Sequence, residues 1–435
     1  MAKTPPIDPH ACQEYNALTR RSFVGRSAAA AIALTSPAWL PRVTYAQTDD
    51  SARDVIVCIF LRGGMDGLSV VVPFGDPAYY TLRPTIAVPR PDSSAAIRAT
   101  NLDGFFGLPP GMTPLLPAYT AGNVLFVQAT GSIDPTRSHF DAQHYMEIGA
   151  PGSSSLVSGW LGRHLATRPP MKASASLRAL AFTYGMTETL AGGPLTLPIP
   201  DPATFALAGT SSTRTQRLAW LRRSYGLESD PLRTAAANTE RTITTLSALN
   251  ISGYVPAGGA VYPTASFGRA LRSTAALIRA DIGVEAVQID LGGWDTHNAQ
   301  NPLNGSMNST MRGLADALAA FHADMDGANL MHRVTVVAMS EFGRTARENG
   351  SQGTDHGHGN CMIVMGGNVN GGQVMTQWPG LATPNLYQGQ DLSVTIDHRD
   401  ILAEIVARRL GNTELSTVFP NFSPTAREAV RVGHR

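Results

Sequence analysis

Carboxylates, imidazoles and guanidiniums fall together in five short segments of this 435-residue chain, and glycines flank most of them. The segments are Arg62-Gly63-Gly64-Met65-Asp66-Gly67, Arg137-Ser138-His139-Phe140-Asp141, Gly292-Gly293-Trp294-Asp295-Thr296-His297, Ser340-Glu341-Phe342-Gly343-Arg344-Thr345 and Gly353-Thr354-Asp355-His356-Gly357-His358-Gly359. Carboxylate and imidazole donors drawn from several loops suit a divalent cation such as zinc, manganese, magnesium or calcium. Asp295 and His297 are two residues apart, as are His356 and His358, so either pair chelates one ion or divides between two. Arg62, Arg137 and Arg344 can grip an anionic group through two parallel N–H bonds, or each can pair a carboxylate of the site. Any single segment reads as an ordinary turn, because Asp and Gly favour turns. All five together point to metal or anion binding.

What must position them is a parallel sheet. Short apolar runs at 54–61, 123–129, 180–183, 285–291, 333–339 and 361–365 have the length and β-branched content of strands covered on both faces. Four of the segments begin at or soon after the end of such a run, and the fifth leads into one. Loops leaving the carboxyl ends of parallel strands converge on one edge, where ligands bind. Helical patterns lie between the runs. The clearest spans 306–327, where Met307, Met311, Leu314, Leu318, Phe321 and Met325 form a core-facing stripe. His322 beside that stripe reads as structural, and Trp160 as core or a helix start. A second helix covers 398–410 and ends at Gly411. The stretch 192–263, rich in Pro, Gly, Ser and Thr, reads as an insertion or cap carrying helices near 214–225 and 234–249.

Residues 1–46 read as an export signal. Arg20-Arg21 stands two residues before Phe23, an alanine-rich apolar run follows from Ala28 to Leu40, and Thr44-Tyr45-Ala46 supplies a small-x-Ala cleavage site. The run is too short to span about 30 Å of hydrocarbon, and the order of the parts is that of a twin-arginine signal. The mature chain, 47–435, is then expected as one domain in the periplasm or outside the cell, after contact with the twin-arginine translocase. No segment of it is expected to cross a membrane. Removing Lys3, Arg20, Arg21, Arg26 and Arg42 with Asp8 and Glu14 takes the formal charge from +1 to about −2, which leaves no electrostatic case for nucleic acid. Cys58 and Cys361 sit inside apolar runs and read as buried free thiols, although export into an oxidising compartment permits a disulfide.

The order of the landmarks FLRGGMDGL (60–68), VVPFGDPAYYTLRP (71–84), SHFDAQ (138–143), GWLGRHL (159–165), GGWDTH (292–297), SEFGRT (340–345) and GTDHGHGN (353–360) resembles the bacterial family known as domain of unknown function 1501. That resemblance implies the alkaline-phosphatase and sulfatase-like superfamily. It therefore implies an α/β/α sandwich with a large, mostly parallel sheet and metal ligands at its carboxyl edge. It sets Asp66 in the place of the superfamily's first aspartate, and Asp295 with His297 in the place of a ligand pair. Glu341-Phe342 stands where Asp-His is usual, so Glu341 can be an oxygen ligand and Phe342 cannot be a nitrogen ligand. Asp355-His356-Gly357 either supplies the missing histidine or stands for a separate downstream one. No formylglycine motif follows Cys58 or Cys361, and Ser69 stands where the family commonly has asparagine.

Two functions follow as expectations. The first is a metal-dependent hydrolase of phosphate or sulfate esters, acting on a small anionic ester. Asp66, Asp295, His297, Glu341, Asp355, His356 and His358 would be ligands, His139 the general acid and Arg344 the oxyanion clamp. The second is a non-catalytic envelope protein that kept the fold. A redox protein with a large cofactor is disfavoured, because the chain has no dinucleotide fingerprint, haem motif or cluster-binding cysteines.

Overall fold

Apolar runs dense in β-branched residues become the central strands, as patterning requires. The computed structural model describes residues 53–432, so the proposed export signal lies outside the described residues. Among the described residues there are eleven strands: β1 (Val55–Leu61), β2 (Thr100–Asn101), β3 (Gly107–Leu108), β4 (Val124–Gly131), β5 (Ala179–Ala181), β6 (Thr196–Pro198), β7 (Ala286–Leu291), β8 (Val334–Met339), β9 (Asn360–Gly366), β10 (Gln373–Met375) and β11 (Ile396–Asp397). Nine form one sheet in the order β10-β4-β9-β8-β1-β7-β5-β6, with β11 paired to the end of β4. All six expected strands are there. The short β6, β10 and β11 escaped the sequence because two or three residues carry no readable period.

Every pairing in this sheet is parallel except those of β9, which runs against β4 and β8. One reversed strand has a consequence for the site. The carboxyl ends of β1, β4, β7 and β8 open on one edge, and β9 enters from that same edge. The residues that precede it, 353–359, therefore join the loops that follow its neighbours. In β4 a bulge falls between Gln128 and Thr130, with Ala129 at φ 57°, and bends the chain toward the same edge.

Helices cover both faces, giving the α/β/α sandwich. The longer ones among the described residues are α1 (His139–Ile148), α2 (Trp160–Thr167), α3 (Arg214–Gly226), α4 (Leu232–Ala248), α5 (Ser266–Ala280), α6 (Ser306–Gly327) and α7 (His398–Arg408). On one face α5 and α6 pack against the sheet, and the whole Met307-to-Met325 stripe is buried. Each such side chain contributes about 1.5–3 kcal/mol on removal from water. On the other face lie α2 and α7 with Phe419. Trp160 opens α2 and is fully buried, while His322 on α6 meets Asn123 Nδ2 at 2.9 Å. The stretch 192–263 contributes β6 at the sheet margin as well as α3 and α4, so its first part belongs to the sheet. Cys58 and Cys361 are buried free thiols, and burial raises the pKa of each. Among the described residues no helix is long and apolar enough to cross a membrane.

Candidate metal centre

Parallel register sets Leu291 beside Leu61 and Met339 beside Phe60, so the chain after each strand leaves the sheet side by side. Those loops touch at main-chain distance. A Cβ on Gly63, whose φ is +116°, would stand 2.7 Å from the Asp295 amide nitrogen, and one on Gly343 would stand 1.8 Å from the Gly359 carbonyl. Glycine at both positions is what lets the polar side chains meet.

Three imidazoles surround the Asp295 carboxylate. His297 Nε2 lies 3.1 Å from Oδ1, His356 Nε2 lies 3.4 Å from Oδ1, and His139 Nε2 lies 3.7 Å from Oδ2. His297 Nε2 and His356 Nε2 are 3.0 Å apart. The donor atoms of His139, Asp295 and His356 all fall within 4.8 Å of one another, a grouping able to hold a metal ion.

The far side of each ring fixes the tautomer. His356 Nδ1 meets the Arg137 carbonyl at 2.8 Å, and a carbonyl can only accept, so the proton is on Nδ1. His139 Nδ1 donates to Glu341 Oε1 at 2.8 Å, and His297 Nδ1 donates to Asp355 Oδ1 at 2.9 Å. Neutral rings oriented this way turn three lone pairs toward a carboxylate. That arrangement is repulsive until a cation or extra protons arrive. Every shift in the cluster agrees. Burial would raise the Asp295 pKa, but His139, His297, His356 and Arg344 hold it far below the usual range. Burial works against protonation of His139, yet Asp295 and Glu341 push its pKa up to about 9. The hydrogen bond to Asp295 raises that of His297. The His139 Nε2 atom is buried and has no hydrogen-bond partner. Three nitrogens and a carboxylate oxygen, each ring braced from behind, match the donors and the supporting contacts of a divalent-ion site.

Not every expected ligand joins this group. Asp66 does not: it is buried, Arg83 grips both its oxygens at 2.6 and 2.9 Å, and Ser69 Oγ and Gln300 Nε2 each donate to it at 2.6 Å. Its lone pairs are filled and its charge is neutralised. His358 is also apart, its ring stacked 4.3 Å from that of Tyr387, with burial lowering its pKa to about 4. Glu341 and Asp355 stand behind the imidazoles rather than among the inward donors. Glu341 is buried, and burial opposes its charge. The hydrogen bond and charge of His139 nevertheless hold its pKa down at about 2, and it also accepts from Gly63 N, Gln143 Nε2 and Ser340 Oγ.

The two residues expected to act on substrate are placed otherwise as well. His139 lies within the cluster, with Nδ1 committed to Glu341 and Nε2 turned toward Asp295, so binding an ion and protonating a leaving group would compete for that one nitrogen. Arg344 is fully buried; it donates to Asp295 Oδ1 at 2.7 Å and to the carbonyls of Gly63, Gly64, Trp294 and Thr354. It braces the Asp295 loop and has no face toward solvent. Phe342, the residue that replaces a nitrogen donor, packs its ring 4.9 Å from His139 and 4.8 Å from His356 and walls the site.

Several contributors went unread in the sequence. Gln143 lies four residues after His139 on α1, and that spacing alone places both on one helix face, where both reach Glu341 Oε1. Arg83 and Gln300 left no such signal, because their partners are distant in sequence.

Residues 209–418 match the model of a family described as Protein of unknown function (DUF1501). No curated protein matches. Among solved structures, the chain is similar to a protein in the alkaline phosphatase superfamily from Vibrio parahaemolyticus, at 9% identity over 81% of this chain and 72% of that one, TM-score 0.35. It is also similar to the PsFucS1 sulfatase from Pseudoalteromonas sp., at 12% identity over 94% and 77% of the two chains, TM-score 0.37. A third is the C-terminal periplasmic domain of EcEptC from Escherichia coli, in complex with Zn, at 11% identity over 88% and 91%, TM-score 0.36.

Proposed function

We propose that this DUF1501 protein is an exported, metal-dependent hydrolase of phosphate or sulfate esters, with a divalent cation held by Asp295, His139, His297 and His356. The observation that carries the reading is the set of three inward Nε2 atoms around one carboxylate, one of them buried without a partner. Imidazole-rich donors favour zinc over manganese, magnesium or calcium, which suit oxygen ligands. A bound ion would supply Lewis acidity at an ester oxygen. The remaining work falls to the chain. Glu341, Asp355 and the Arg137 carbonyl hold the rings in their tautomers, Arg344 fixes Asp295, and Phe342 keeps water from the inner side. Substrate would approach from the side of Asp295 and His297, which are 19% and 32% exposed.

Covalent catalysis by Ser69 is not part of this proposal. That hydroxyl is fully buried, donates to Asp66 at 2.6 Å, and lies 3.1 Å from Arg83 Nη1 and 3.2 Å from Gln300 Nε2. The same closed hydroxyl is what a non-catalytic envelope protein would show, and one experiment separates the two. Zinc- and manganese-loaded protein is assayed on aryl phosphate, phosphonate and sulfate esters, alongside Ser69→Ala. Turnover that survives Ser69→Ala within about tenfold supports the proposal, taking the loss of a hydrogen bond to a charged group as its scale. No turnover of any ester by fully loaded protein hands the site to the envelope reading.

Export is proposed on residues 1–46. Replacing Arg20 and Arg21 together by lysine should hold the precursor in the cytoplasm, measured by fractionation. A mature form in the periplasm after that change defeats the assignment.

A further inference from the structure

Arginines at four positions lie around the cluster, and three of them have nothing left to offer a ligand. Arg62 is tied to Asp290, Gln143 and Glu147. Arg83 is fully buried on Asp66, Ser69 and the carbonyls of Thr345 and Ala346. Arg344 is spent on Asp295 and four carbonyls.

Arg137 differs. Its carbonyl receives His356 Nδ1, so its backbone is fixed to a cluster imidazole, and His139 follows two residues later. Its side chain is 36% exposed and makes a single bond, Nη2 to Asp391 Oδ2 at 2.5 Å. Nε and Nη1 have no acceptor among the described residues. Asp391 is fully buried, and its other oxygen, Oδ1, has no partner. Three buried bracing pairs are two-pronged: Arg409 on Asp54, Arg399 on Asp397 and Arg178 on Glu285 each use two nitrogens and both carboxylate oxygens. The Arg137 pair, by contrast, is one-sided, with Asp391 Oδ1 left unpartnered. Asp391 thus anchors the guanidinium and leaves its other edge to solvent. Asp391 is paired through backbone bonds with Tyr387, on whose ring His358 stacks, so the guanidinium is anchored on an ordered floor while the Arg137 carbonyl is tied to His356 of the cluster.

We propose that Arg137 grips the charged oxygens of an oxyanion ester, phosphoryl or sulfuryl, and holds that group against the cluster. This rests on the hydrolase reading and adds the residue that selects an anionic substrate. Asp391 takes one Nη2 hydrogen, so the second Nη2 hydrogen, with that of Nε or of Nη1 beside it, is a planar fork that matches two oxygens of either group. Arg137 is a binding residue in this role, and no proton is asked of it.

The test is calorimetric titration of inorganic phosphate, and separately of sulfate, into zinc-loaded protein. Wild type is compared with Arg137→Ala, Arg137→Lys and the double variant Arg137→Ala/Asp391→Asn, which removes the buried charge that alanine alone would strand. The expected result is unchanged zinc content in all four, with Kd for the favoured anion raised about tenfold to a hundredfold in both alanine variants, the scale for losing a hydrogen bond to a charged group. Arg137→Lys should fall between. The anion that shows this dependence decides between phosphoryl and sulfuryl. Wild-type affinity in a folded, zinc-loaded double variant overturns the proposal, as does absence of anion binding by wild type. Should wild type take up no zinc, the hydrolase reading fails on that measurement. The dependence on Arg137 is then read on metal-free protein, where it still stands or falls.

Discussion

Asp66 and Asp295 start from the same circumstance and end in opposite ones. Each closes a Gly-Gly-x-Asp run, Gly63-Gly64-Met65-Asp66 and Gly292-Gly293-Trp294-Asp295, and each follows one of two hydrogen-bonded parallel strands, β1 and β7. Asp66 is buried against a guanidinium, a hydroxyl and an amide that fill its oxygens. Asp295 remains 19% exposed, takes one guanidinium nitrogen, and faces three imidazole nitrogens whose protons point the other way. The first carboxylate is complete as it stands. The second is short of positive charge. A carboxylate at a strand end is therefore a brace or a ligand according to whether its neighbours bring their own cation, and the motif itself does not say which. The two sites are also tied: Gln300 donates to Asp66 and accepts from Thr296 and Thr354, which sit beside Asp295 and Asp355.

Substitutions at the two aspartates should separate them most sharply. Asp295→Ala is expected to abolish stoichiometric zinc, weakening affinity more than about a hundredfold, since it removes a ligand where loss of a mere supporting contact costs up to that much. Metal analysis after dialysis checks this, and retained zinc would mean the cluster is no site. Asp66→Asn should leave zinc content as it is. It should instead cost about 3–5 kcal/mol of stability, because Arg83 is then buried without its counter-charge. Chemical denaturation measures it, and a loss of zinc from folded Asp66→Asn would erase the distinction between the two carboxylates. Glu341→Gln probes the middle ground, a residue that touches a ligand from behind. Zinc affinity should fall about tenfold to a hundredfold while stoichiometry at saturating zinc holds. An effect as large as that of Asp295→Ala would put Glu341 among the donors.

Much of this was legible in the chain. Near-continuous apolar runs gave six strands, the stripe from Met307 to Met325 gave α6 to the residue, and polar segments at strand ends gave the edge where chemistry collects. These are local properties: a strand or helix is recognised by a period of two or 3.6 within its own few residues. Asp295, His297 and His356 were singled out on the same basis and do come together. The role of each carboxylate and imidazole was decided elsewhere. His139 joins them from the start of α1, after β4, through its contacts with Glu341 and Asp295. Asp66 is taken from them by Arg83, and His358 by Tyr387. Those partners lie between 17 and 29 residues away along the chain, and Gln300 lies 234 residues from Asp66. The sequence determined which residue types stand at the edge. Whether a lone pair there meets a guanidinium, an aromatic face or empty space depends on distances of a few ångströms across loops remote in sequence, and only the tertiary structure sets those.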